Sequence, residues 1–76
     1  MTQTEFLEKF VEQFEETDPA TINIETKFRE IDEWSSMMAL VLIAMVDDEC
    51  GVTLTGDDIR ASNTVGDIYY CITAKQ

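Results

Sequence analysis

The chain contains no histidine, five Lys and Arg against sixteen Asp and Glu, one proline, three glycines and two cysteines. Each shortage removes a class of function. Without histidine there is no side chain whose ordinary pKa lies near neutrality to act as acid or base, and no serine or cysteine has an identifiable activating partner, so an enzyme reading is weak. A net charge of −11 repels nucleic acid phosphates and anionic lipid. The expected partners are therefore basic protein surfaces, with no nucleic acid and no membrane. Cys50 and Cys71 lie far apart with no CxxC spacing and no histidine to complete a zinc site, and they read as small buried hydrophobes with reduced thiols. The acids Asp47-Asp48-Glu49 and Asp57-Asp58 lack the alternating ligands and sixth-position glycine of a calcium loop, and read as solvated faces and caps. The residues Met1-Thr2-Gln3-Thr4-Glu5 have neither a basic lead nor an apolar signal core, and the expected location is the cytoplasm.

The 76 residues are 45% hydrophobic and 28% charged, which predicts one globular domain over 1–76 and not a disordered chain. Thr2-x-x-Glu5 fits a capping box, and Phe6, Leu7, Phe10, Val11 and Phe14 form one apolar stripe, so a first helix is predicted over 2–16. Thr17-Asp18-Pro19 is expected to stop it. From Thr17 to Ser35 no period is sustained, yet Ile22, Ile24, Phe28 and Ile31 are spread through the stretch. That predicts a long loop packed on the core, with one helical turn within 25–30. Val52-Thr53-Leu54 reads as a loop with two apolar anchors, and Thr55 as the cap of a one-turn helix. Thr64-x-x-Asp67 is a second capping box, opening a helix whose core face is Val65, Ile68, Tyr69 and Ile72, with Tyr70 facing out.

Between these lies the longest apolar run, ten residues from Met37 to Val46. A bilayer needs roughly 20, so the run is read as the central helix, buried in a small bundle. Ser35 is placed to cap it, because a serine oxygen accepts from one of the helix's first free N–H groups. Ser36 then stands in the first turn with its hydroxyl in water, where free amides and the positive end of the helix dipole favour an attached phosphate. Gly51 supplies the left-handed residue that ends the helix. Trp34 reads as an aromatic staple over the core edge.

These landmarks resemble the acyl carrier protein family, whose second helix opens with Asp-Ser-Leu and whose serine carries 4'-phosphopantetheine. The matching residues are Glu33-Trp34-Ser35-Ser36-Met37, then Ile43-Ala44-Met45-Val46-Asp47-Asp48-Glu49-Cys50-Gly51-Val52, then Asn63-Thr64-Val65-Gly66-Asp67-Ile68. The resemblance covers nearly the whole chain and is strongest from Glu33 to Ile72. Counting back from Cys50, at the family's aromatic position before the helix stop, places the modified serine at Ser36. The resemblance implies an all-α four-helix bundle with three main helices, one short one and a long loop between the first two. It also implies a monomeric, non-catalytic carrier of acyl thioesters, loaded by a phosphopantetheinyl transferase and serving acyl-loading and acyl-processing enzymes with basic docking surfaces.

Three departures bear on that reading. Ser35 stands where Asp is usual, keeping the capping oxygen and losing the charge. Met37 replaces Leu at nearly constant volume. Met38 and Val41 occupy a face where many members carry acids, which leaves Asp47, Asp48 and Glu49 as the acidic part of the docking surface. Ser35, Met37, Met38, Val41, Asp47 and Asp48 are accordingly the expected partner-contacting residues. The competing reading is an unmodified acidic interaction module on the same fold. Charge alone yields one prediction: with self-repulsion at −11, added salt or divalent cation should raise the melting temperature. A thermal melt series at rising ionic strength checks it, and a flat or falling series overturns it.

Overall fold

The computed structural model describes residues 1–76 and is helical, with α1 at Gln3–Val11, α2 at Ser36–Cys50, α3 at Gly56–Ala61 and α4 at Val65–Lys75. Short 3₁₀ turns at Pro19–Thr21 and Phe28–Glu30 punctuate the connection between α1 and α2. This is the expected all-α bundle, with its long loop between the first two helices. The second 3₁₀ turn falls inside the window predicted for one helical turn; the first was not foreseen.

Side-chain caps set the helix starts. Thr2, Thr55 and Thr64 each accept the N–H three residues on, and Glu5, Asp58 and Asp67 reach back to the cap amides, so three capping boxes are complete. The central helix ends at Gly51, the chain's one residue of positive φ, at 68°. No Cβ could sit in that conformation without strain.

α1 is shorter than predicted, ending at Val11 and not near Glu16. Its last turn tightens, with Gln13 and Phe14 N–H donating to Phe10 and Val11 carbonyls at 3.2 and 3.1 Å, an i to i−3 pattern. The next amides then turn away from the helix to the Glu33 carboxylate, at 3.2 Å from Glu15 and 2.9 Å from Glu16. A distant side chain, not the local Thr-Asp-Pro signal, takes the hydrogen bonds that another helical turn would have used.

The core joins all four helices and the loop. Phe6, Phe10 and Phe14 form a ladder with ring centroids 6.0 and 5.3 Å apart, and Tyr69 of α4 meets Phe6 at 5.9 Å. Leu42 and Val46 of α2, Leu54, Ile59 of α3, and Val65, Ile68 and Ile72 of α4 close around them, with Ile22, Phe28 and Ile31 of the loop. Tyr69 is half-buried and Tyr70 exposed, as the periodicity implies. Two expectations need correction. The central helix is not buried around its circumference: only Leu42 and Val46 are fully inside. The two cysteines are half-buried free thiols and not core residues. Cys50 is the last residue of α2, with Sγ 3.7 Å from Met1 Sδ. Burial raises both thiol pKa values, which keeps them protonated.

Backbone bonds hold the loop against the start of α4. Val65 N–H donates to Thr26 O at 3.0 Å and Gly66 N–H to Ile24 O at 2.9 Å, so the first free amides of α4 are closed by loop carbonyls. A Cβ on Gly66 would stand 2.7 Å from Ile24 Cγ2 and 3.1 Å from Ile24 O. Gly66→Ala should therefore push the loop off α4 and cost about 1–3 kcal/mol, the usual range for overpacking. Urea unfolding checks this, and an unchanged midpoint would show that the contact yields freely.

The capping carboxylates also set the acid limit. The Thr55 amide, then Lys75 at 3.1 Å, hold the Asp58 pKa down from 3.8 to about 2. A depressed folded-state pKa contributes stability above the unfolded value and loses it as pH falls through the folded one. The melting-temperature gap between wild type and Asp58→Asn should thus be full above about pH 4 and close towards pH 2. A gap independent of pH would refute this role for the carboxylate.

Candidate functional site

The start of α2 is built by its two serines. Ser35 is extended, at φ −156° and ψ 173°, and its Oγ accepts the Met38 N–H at 3.3 Å. Its carbonyl accepts the Ala39 N–H at 3.1 Å, the first bond of the helix ladder. Ser36 is the first helical residue and is exposed. The N–H groups of Ser36 and Met37 precede any intrahelical acceptor, so they face outward with the positive end of a 15-residue helix behind them. No acid occupies this first turn. A phosphodiester on the Ser36 oxygen would meet free amides and no opposing charge, which suits the group.

Both sides of the segment leading to the serines are anchored. Trp34 packs edge-on against Phe28, with centroids 4.7 Å apart and planes at 61°, the staple expected of it. Next to Phe28, Arg29 donates to the carbonyls of Ser62 and Ile59, each at 2.7 Å, and of Arg60 at 3.2 Å. A guanidinium thereby closes the C-terminal carbonyls of α3, where a cation also complements the helix dipole. On the other side the Glu33 carboxylate accepts the Thr17 hydroxyl as well as the Glu15 and Glu16 amides. The Thr17 hydroxyl leads the set of donors that lowers the Glu33 pKa, with burial opposing them.

The outer face of α2 is apolar. Met37 is 71% exposed, Leu40 66% and Val41 37%. Met38 is half-buried and packs against the core, so it offers only part of its side chain to a partner. Asp47 and Asp48 are exposed near the other end, about 17 Å from Ser36 at 1.5 Å per residue. The expected partner residues therefore fall into two groups, one apolar beside the serines and one acidic beyond. Leu40 was missed in the sequence because nothing within an unbroken apolar run marks which members face water. The Glu33 and Arg29 contacts were missed as well, since each joins residues 16 to 33 apart. No local pattern signals them.

A shallow groove of about 390 Å³ lies beside the serines, floored by Ala39, Leu40, Ile43 and Ile59 and edged by Arg29, Trp34 and Arg60. A larger one of about 470 Å³ lies between Glu16 and Glu33, walled mostly by acids and threonines. No three His, Cys, Asp or Glu side chains are grouped to hold a metal ion, and no helix is long and apolar enough to cross a membrane.

A family model described as the phosphopantetheine attachment site matches residues 5–72. A search of curated proteins finds no match. The matched span runs from the first turn of α1 to the buried Ile72 of α4 and includes the serine pair, all four helices and the loop that stitches them. The chain therefore belongs to the phosphopantetheine-binding carrier family, whose domain is the attachment site of a covalently bound 4'-phosphopantetheine group.

Proposed function

We propose that Ser36 is the residue that bears the arm, and that residues 1–76 act as one acyl-carrier domain holding acyl groups as thioesters for fatty acid, polyketide or related lipid synthesis. The observation that carries this reading is the exposed Ser36 hydroxyl at the first position of α2, with its neighbour Ser35 occupied as the cap. The chain supplies position and access and no catalytic group. A separate transferase activates the Ser36 hydroxyl, whose oxygen attacks the coenzyme A pyrophosphate. The oxygen–phosphorus bond forms, the proton leaves to the transferase, and the nucleotide portion departs. Once bound, the arm supplies a terminal thiol for the thioester. Tethering then replaces free diffusion with a high effective concentration at each partner's active site.

Partner contact is assigned to the outer face of α2, with Ser35, Met37, part of Met38 and Val41 beside the arm and Asp47 and Asp48 meeting basic residues farther along. Leu40 joins this set through its exposure. Met side chains adapt to irregular apolar grooves, which suits a surface that meets several enzymes in turn.

Ser35 favours a second reading, an unmodified interaction module, because it keeps the cap while lacking the aspartate charge usual at this position. Incubation with coenzyme A and a broad-specificity transferase, followed by intact-mass measurement, separates the two. One phosphopantetheine should be added to wild type and to Ser35→Ala and none to Ser36→Ala. Label on Ser36→Ala would put the attachment elsewhere, and no label with several transferases would favour the module.

A further inference from the structure

We infer that Glu33 is a positioning residue for the head of α2: its carboxylate, by gripping the bend that follows α1, fixes where the Ser36 hydroxyl stands. This rests on Ser36 being the attachment point.

The grip is long-range and convergent. The Glu15 amide reaches one carboxylate oxygen at 3.2 Å, while the Glu16 amide at 2.9 Å and the Thr17 hydroxyl reach the other. Consecutive amides turned toward one anion form a concave seat, and here the anion is a side chain from 16 to 18 residues away. The seat is set among carboxylates, since Glu15, Glu16 and Asp32 adjoin it in sequence. Glu33 nonetheless stays ionised more readily than an ordinary glutamate. Its donors therefore outweigh the burial that opposes them.

The lever to the serine is short. Ser36 stands three positions after Glu33, so at most about 10 Å of backbone lies between the two residues. Within that span Trp34 is pinned on Phe28, and Ser35 is committed to the Met38 amide. The hydrogen bond at the helix start is thus made by Ser35, and Ser36 depends on its neighbours for position. Trp34 holds the lead-in from the α3 side through Phe28 and Arg29, and Glu33 holds it from the α1 side. Releasing either leaves α2 free to pivot about the other, and small misplacements of a reacting atom cost large factors in rate.

Glu33→Gln tests this. A glutamine keeps one oxygen and sets an NH₂ group against a donor, so one side of the seat opens. Ile72→Val serves as a control, because it removes a buried methylene from the C-terminal half of α4, outside the loop that leads into α2. Wild type, Glu33→Gln and Ile72→Val would be compared at a temperature well below all their melting points. One readout is the initial rate of labelling with coenzyme A and a broad-specificity transferase. The other is amide hydrogen exchange at Met38, bonded to the Ser35 cap, against buried Ile68.

In Glu33→Gln, kcat/KM for labelling should fall about tenfold. Met38 exchange should quicken while Ile68 is unchanged, and Ile72→Val should be labelled at the wild-type rate. Unchanged Met38 exchange in Glu33→Gln overturns the inference, as does a wild-type kcat/KM or an equal loss in Ile72→Val. Should Glu33→Gln not fold, Thr17→Val removes one donor and keeps both amides, and should shift both readouts less in the same direction. A wild-type chain that takes no label defeats the carrier reading instead, and the Met38 comparison then decides the positioning role by itself.

Discussion

Every backbone amide and carbonyl that leaves water must find a partner, and in this chain that requirement weighs most on the residues between α1 and α2. They form no ladder of their own beyond two single 3₁₀ turns. Their groups are instead exchanged with the ends of helices. Ile24 and Thr26 carbonyls receive the first amides of α4, Arg29 covers the last carbonyls of α3, and Glu33 takes the amides released where α1 stops. The loop is thereby part of the frame. Removing one of these exchanges leaves both a loop residue and a helix end without a partner.

That exchange explains why so short a chain can hold one helix start open to solvent. α3 and α4 are closed at their N-termini by capping boxes, and α4 also by loop carbonyls. α2 has a cap from Ser35 and no acid reaching back from its first turn. Its dipole end is thus less covered than those of its neighbours, and a serine stands there. The anchors that fix this end, Trp34 and Glu33, come before the helix and leave its outer face unobstructed.

The apolar outer face of α2 is the unusual feature in a chain of net charge −11. From Trp34 to Val46 there is no charged residue, and the acids resume at Asp47. The first three turns of α2 therefore carry no charged side chain of their own. Exposing Met37, Leu40 and Val41 to water costs burial energy, on the order of 25 cal/mol per Å² of apolar surface left uncovered. A chain that tolerates this carries a face suited to being covered by something else, in keeping with a phosphopantetheine-bearing carrier domain.

Much of the fold was legible in the residues because local chemistry decides it. Thr2, Thr55 and Thr64 each cap with the acid three residues on, Gly51 takes the left-handed turn, and Ser35 rather than Ser36 holds the Met38 amide. Such contacts span only a few residues, so their spacing is written in the chain. The aromatic stripe of α1 and the core face of α4 were legible for the same reason, since a helical period sorts inside from outside when polar residues mark the other side. In α2 they do not. Ten apolar residues in a row carry no contrast, and only packing could decide that Leu42 and Val46 go in while Met37 and Leu40 stay out. The early end of α1 and the hold on the lead-in to α2 likewise depend on Glu33 and Arg29 meeting residues far along the chain. The sequence by itself determined the helices, their caps and the serine at the head of the second. The tertiary structure alone decided what steadies that serine and what surrounds it, because those contacts exist only after distant segments have been brought together.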